Sequence, residues 1–388
     1  MMRAKSLFSL TIAMLALAAC SENEITEQNP AVNKAIGFDT YTSVQTRGTE
    51  GNLVTLQGDN FGVMAYQTTG AYSTTGAKSE FMKNQPVSWN TGTNKWEYNP
   101  VKYWPAGTDE KVSFFAYSPY DSDGTVYNAA TISADASNNP KIGFTLLNYQ
   151  ASMIDLLVSD PAASGCVTTD LTSASGTVKF KFIHPLTRVV MEAKTDTDIS
   201  ANTDTKVFVT GVSLIHTSKL NSKGTFDMKE QTWANNTTDY LASPYVLTEY
   251  DGGLDCGVLN LTAANFAGYT AKSIDISAGG TTATSLFATL AGGQSSDEYL
   301  FLLPVNNTTG TAAAGDVKVK IAYDIVNKIN DTTHSKSSVE KEVNLPAGVL
   351  KKGAAHKFTF IIGLNAITFD VDTDANWGTE TNNDVTVQ

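Results

Sequence analysis

Basic residues, histidine and cysteine are all scarce in this 388-residue chain. Lys and Arg number 27 against 39 Asp and Glu, a formal net charge of −12 at pH 7. No basic cluster is dense enough to hold a phosphate backbone, which argues against nucleic acid as a partner. Four histidines are few for a metalloenzyme. His216, His334 and His356 stand too far apart to form a ligand pair, and His184, where a strand meets a turn, reads as a structural hydrogen-bonding residue. A Gly-x-Ser-x-Gly elbow, a phosphate loop and a Cys-x-x-Cys pair are all missing. The residues therefore single out no catalytic group, metal or cofactor, and the chain reads as a non-enzyme. Asp370-Val371-Asp372-Thr373-Asp374 imitates the start of an EF-hand loop, but Ala375 and Thr381 stand where that loop needs Gly and Glu. Alternating acids on the wet face of an edge strand explain the segment better.

Hydrophobic residues make up 41% of the chain, enough for packed cores. The apolar runs favour Val, Ile, Phe and Tyr, and polar turns separate them at short intervals. Val178, Phe180 and Phe182 alternate with Lys179 and Lys181. Val317 to Ile325 alternates in the same way. Val112 to Tyr117 and Tyr299 to Leu303 are apolar on both faces, as strands at sheet centres are. No segment carries a helical stripe. The class is all-β, two antiparallel sandwiches, with the boundary placed in the polar stretch Thr195 to Asp204. That divides the chain into domains at 48–198 and 199–388.

The first residues form a targeting segment. Arg3 and Lys5 precede an apolar run, Leu7 to Ala19, which is short of the roughly 20 residues that span a bilayer. Residues 1–19 read as a lipoprotein signal peptide, cut between Ala19 and Cys20, with Cys20 acylated. A plain secretory signal that happens to meet a Cys is the alternative. Cys166 and Cys256 could pair after export or stay as two separate thiols. Ser21 to Pro30 is an acidic tether. Thr46-Arg47-Gly48 precedes the kind of polar tip where proteases cut, although on the residues alone Arg47 reads rather as an ordinary solvated arginine.

Several segments together resemble the fimbrillin (FimA/Mfa-like) family, type V pilus subunits of Bacteroidales. They are Cys20, Thr46-Arg47-Gly48, Lys111 to Pro119, Phe182 to Val189, His356 to Phe360, Ile367 to Val371 and Trp377. The resemblance implies two transthyretin-like, Greek-key β-sandwich domains in tandem. It also implies a lipidated tether and strand, residues 20–47, that an arginine-specific protease removes by cutting between Arg47 and Gly48. The vacated groove would then accept a donor strand from near 364–388 of another copy or a related pilin. Ile367, Phe369 and Val371 share one face and would be its apolar knobs, and the same pattern suits the chain's own last strand. The implied place is the outer membrane and cell surface, in a fimbria serving adhesion. The acidic Ser21 to Glu24 after Cys20 resembles surface-export signals of that bacterial group. Alternatives are a tip or anchor subunit that does not polymerise, or a monomeric surface lipoprotein that binds a glycan or host protein. Trp89, Trp96, Tyr103 and Trp104 are the candidate contacts for the last of these.

Overall fold

A computed structural model describes residues 34–42, 53–73, 78–122, 132–133, 139–146, 154–235, 238–249, 273–280, 282–286, 300–305, 314–330, 333–363, 367–374 and 382–383. Helix is confined, among these, to α1 (Leu53–Asp59) and one 3-10 turn at Ser173–Ser175. All the rest of the regular structure is strand, and the expected all-β class is what the chain adopts.

In the N-terminal half the strands are β1 (Phe38–Thr42), β2 (Phe61–Thr69), β3 (Ser79–Asn90), β4 (Lys95–Glu97), β5 (Glu110–Ser118), β6 (Ile132–Ser133), β7 (Lys141–Thr145), β8 (Leu157–Ser159) and β9 (Val178–Ile183). Seven of them form one sheet in the order β1-β9-β8-β5-β2-β3-β4. Central β5 is buried throughout from Val112 to Ser118, as its unbroken apolar run requires. β9 alternates as its sequence does, with Val178, Phe180 and Phe182 inside and Lys179 and Lys181 outside. One face of this sheet, through Val63, Ala65, Phe114, Phe180 and Phe182, encloses a core with Leu56 of α1. The opposite face, through Met64, Tyr66, Phe115 and Tyr117, joins a second and larger core.

That larger core lies mainly in the C-terminal half. There the strands are β10 (Thr187–Thr195), β11 (Thr205–His216), β12 (Lys223–Asp227), β13 (Thr232–Asn235), β14 (Tyr245–Glu249), β15 (Ile274–Asp275), β16 (Thr284–Ser285), β17 (Leu300–Leu302), β18 (Val317–Asn330), β19 (Thr333–Asn344), β20 (Ala355–Ile362), β21 (Ile367–Asp374) and β22 (Asn382–Asn383). One sheet runs β14-β11-β18-β19, with β15 also on β11; another runs β16-β10-β20-β21-β22, with β17 also on β10.

Three features depart from the sequence reading. The sheets are not purely antiparallel, because β1 pairs with β9 and β10 with β20 in parallel. Strand β10, placed by sequence in the first domain, pairs with β17 and β20 of the C-terminal half. Sheet membership therefore changes at 184–186, and the polar stretch 195–204 only joins β10 to β11. Finally, the β12–β13 hairpin crosses to pair with β7, making a four-stranded sheet β13-β12-β7-β6 from both halves. Trp233 anchors it, with its ring centroid 5.2 Å from Phe226 and 6.2 Å from Phe144. The Trp233 indole N–H donates to the Pro185 carbonyl at 2.7 Å.

Candidate functional site at the N-terminal strand

The feature least expected of a permanent core element is β1. In the stretch 36–41 the residues alternate: Ile36, Phe38 and Thr40 are buried, while Tyr41 is exposed. On one side β1 lies parallel to β9, in register Phe38 with Val178 through Thr42 with Phe182. On the other side the chain just before it pairs with residues 102–104: the Ile36 amide donates to the Lys102 carbonyl at 2.9 Å, and the Trp104 amide to the Lys34 carbonyl at 3.1 Å. The segment thus lies in a groove whose two walls both offer it backbone partners.

Aromatic side chains form the floor of that groove. Phe38 stacks on Phe180 with centroids 5.5 Å apart, and meets Tyr98 at 5.1 Å, Phe114 at 6.0 Å and Phe61 at 6.3 Å. Offset and edge-on geometries of this kind add to the gain from burial. The Tyr98 hydroxyl donates to the Ile36 carbonyl at 2.8 Å, and burial raises the pKa of that phenol. The Trp96 indole N–H donates to Thr40 Oγ1 at 3.0 Å, which brings β4, one end of the sheet, against β1 at the other. At the solvent face the Tyr41 hydroxyl donates to Asp39 Oδ2 at 2.9 Å; this bond and the carboxylate charge raise the Tyr41 pKa.

The sequence-predicted residues fall in different places. Ala19, Cys20, Arg47, Gly48, Cys256 and Trp377 lie outside the described residues. Ile367, Phe369 and Val371 lie on β21, whose backbone pairs antiparallel with β20, opposite Ile362, Phe360 and Phe358. The EF-hand-like stretch 370–374 is thus part of a strand ladder. His184 is buried with Nδ1 3.0 Å from the Asp155 carboxylate, a structural pair under the turn it begins. Cys166 is half-buried. Among the four aromatics proposed as exposed contacts, Trp96 and Trp104 are core residues at 7% and 2% exposure, and only Tyr103, at 50%, is open to solvent. Turn-flanking tryptophans here close a hydrophobic interior, which the local sequence does not distinguish from a contact surface.

A hollow of about 330 Å³ opens on the five-stranded sheet, lined by Val246, Lys320, Tyr323, Asp324, Ser338 and Glu340 among others. Its charges face one another, Lys320 with Glu340 at 2.7 Å and Lys336 with Asp324 at 3.8 Å. Among the described residues no three His, Cys, Asp or Glu side chains gather as a metal site, and no helix is long and apolar enough to cross a membrane.

The sequence reading names neither Tyr98 nor Lys102 and takes Trp96 for a surface contact, because pairing across such distances leaves no local signal. A further feature was readable. Arginine occurs at only three positions, Arg3, Arg47 and Arg188. Arg188 sits within β10 between β17 and β20, its amide bonded to the Ala354 carbonyl at 2.9 Å.

Residues 46–377 match a family described as fimbrillin-like. The fimbrium subunit Fim1C of Phocaeicola vulgatus is 38% identical over 403 aligned positions, which cover the whole of both chains. The crystal structure of a fimbrial protein from Bacteroides vulgatus superposes with a TM-score of 0.70 at 34% identity, covering 88% of this chain and 99% of that one.

Proposed function

Since the chain belongs to the fimbrillin-like family of fimbrial proteins, we propose that it is a structural subunit of a cell-surface fimbria, matured by removal of its own first strand. Residues 1–19 direct export, Cys20 carries the lipid that tethers the precursor to the outer membrane, and an arginine-specific protease cuts between Arg47 and Gly48. A strand from another copy, or from a related pilin, then takes the place of β1.

The observation that carries this reading is the position of β1. It supplies Ile36 and Phe38 to a core built otherwise from residues 56–182, yet it precedes Arg47. Its covalent route to the rest of that core runs through residues 43–52, so a cut after Arg47 leaves it held by non-covalent contacts alone. Burying two such side chains contributes about 3–6 kcal/mol gross. That suffices while the strand is tethered, when its effective concentration is of millimolar order, and falls short once it is a separate peptide. An emptied groove exposes aromatic surface and unpaired edge groups on both walls, which favours a replacement strand.

The distribution of arginine supports a single cut. After the leader only Arg47 and Arg188 remain, and Arg188 is paired on both sides within a sheet, where cleavage requires the strand to open. Changing Arg47→Ala is expected to leave a lipidated monomer starting at Cys20. N-terminal sequencing of surface protein and an unboiled gel check this. Ladders of oligomers from the Arg47→Ala protein, equal to those of the parent, would overturn the reading.

A further inference from the structure

The five-stranded sheet carries a depression on the face turned away from its core. Along β18, Val319, Ile321 and Tyr323 belong to the larger core, so Lys320, Ala322 and Asp324 between them turn outward. Register places Ala322 beside Gly211 of β11 and Glu340 of β19. Two residues with almost no side chain thus meet in mid-sheet. Around them β11 shifts register twice, between Val209 and Gly211 and between Val212 and Ser213. The result is the hollow of about 330 Å³, near the lower end of the roughly 300–1,000 Å³ usual for small-molecule sites.

Its polar groups are unequally satisfied. Lys320 and Glu340 meet at 2.7 Å, which leaves the ammonium two of its three N–H donors. Asp324 lines the hollow with a side chain only 8% exposed, and Lys336 stands 3.8 Å from it, longer than a hydrogen bond. A carboxylate at that depth calls for donors. Ser213, beside Lys320, and Ser338, beside Asp324, add hydroxyls that can give or accept. Val246, opposite Ser213 on β14, is 46% exposed and supplies an apolar wall.

We propose that this hollow binds a neutral saccharide of one or two rings. Its hydroxyls donate to the Asp324 carboxylate and accept from Lys320 Nζ, and a C–H face of the ring lies on Ala322 and Val246. The site is separate from the replacement of β1, because β11, β14, β18 and β19 form a different sheet from the one that holds β1.

The balance of charge selects this class. Two ammonium groups stand with two carboxylates, so a metal ion or a phosphate meets as much repulsion as attraction. A zwitterion such as an amino acid has to part Lys320 from Glu340 before its own charges make contact. Hydroxyls add to the pairs already formed, since each is donor and acceptor at once.

Titration of the intact, isotope-labelled protein with mannose, galactose, N-acetylglucosamine and lactose, followed through its amide shifts, tests the proposal. At least one sugar is expected to move amides of β11, β14, β18 and β19 saturably at millimolar concentration, with β2, β5 and β9 unmoved. Ala322→Leu fills the floor, and Asp324→Asn keeps the shape while removing the charge. Each is expected to weaken binding at least about tenfold, the scale of one charge-assisted hydrogen bond. Asp324→Asn carries the test alone if Ala322→Leu disturbs the sheet, which the remaining amides report. Tyr103→Ala, at an exposed ring beside the groove of β1, is expected to change nothing. No shift with any of the four sugars would overturn the inference. So would binding that survives undiminished in Asp324→Asn, or tighter binding of glycylglycine or phosphate than of every sugar. All three outcomes leave removal of β1 standing.

Discussion

The smaller interior, under β1 and β9, takes Ile36 and Phe38 from residues that precede Arg47, whereas the larger one draws all its buried members from residue 64 onward. The smaller has a short helix and a five-residue edge strand as its cover. The larger packs on a sheet of long ladders, β11 with β18 and β18 with β19. On the proposed maturation, a cut after Arg47 would therefore open one core and spare the other, and the subunit would keep the rest of its fold.

The most severe way to break this contrast is Phe38→Ala, which empties a ring-sized space among Phe180, Phe61, Phe114 and Tyr98. The expected cost is about 3–5 kcal/mol, read as a lower urea midpoint for hydrogen exchange in β5 and β9, with β18 and β20 unmoved. Equal loss in both regions would mean that the two interiors unfold as one.

The larger interior has its own weak point in acid. Burial pushes the His356 imidazole down to about 4, against about 6.5 in an unfolded chain. The fold holds this ring neutral, so the unfolded state binds more protons below that value. The stabilisation is complete above pH 6.5 and drains away as pH falls toward 4, about 3 kcal/mol in all. His356→Gln should flatten the pH dependence of the β20 region between pH 7 and 4.5; an unchanged slope would place the acid response elsewhere, for instance at His216, whose pKa burial also lowers.

How much of this was legible in sequence depends on range. The alternation of β9 and the unbroken apolar run of β5 announce both strands and their depth, because burial of a strand is written in its own residues. Sheet membership is not. The acids of 195–204 looked like a boundary, while the actual change of sheet falls at His184-Pro185-Leu186, a tight turn with no polar run. Nothing local in 223–235 shows that this hairpin pairs with β7, and nothing near Trp96 shows that it reaches Thr40. The short helix α1 is equally silent: two leucines and a valine in seven residues leave no stripe to read.

Two smaller substitutions sharpen the contrast further. Thr40→Val removes the acceptor of a buried indole N–H, at a cost of about 1–3 kcal/mol. Thermal unfolding before cleavage and the Trp96 emission spectrum would register it, and no change in either would mean that water reaches the ring. At the opposite extreme, Glu340→Ala on β19 breaks the pair with Lys320. Being exposed, that pair is expected to shift stability by less than about 1 kcal/mol, measurable as a small change in melting temperature that salt abolishes.

The hairpin shared between the halves has a mechanical consequence. Strand β12 matches β7 from Lys223 with Thr145 to Asp227 with Lys141, and the ladder is flanked by the Leu146 amide on the Ser222 carbonyl and the Met228 amide on the Pro140 carbonyl. Tension passing from one half of the molecule to the other has to shear this seam as well as stretch the covalent link at 184–186. The halves thus answer a pull together, as a stiff rod segment and not as beads on a string.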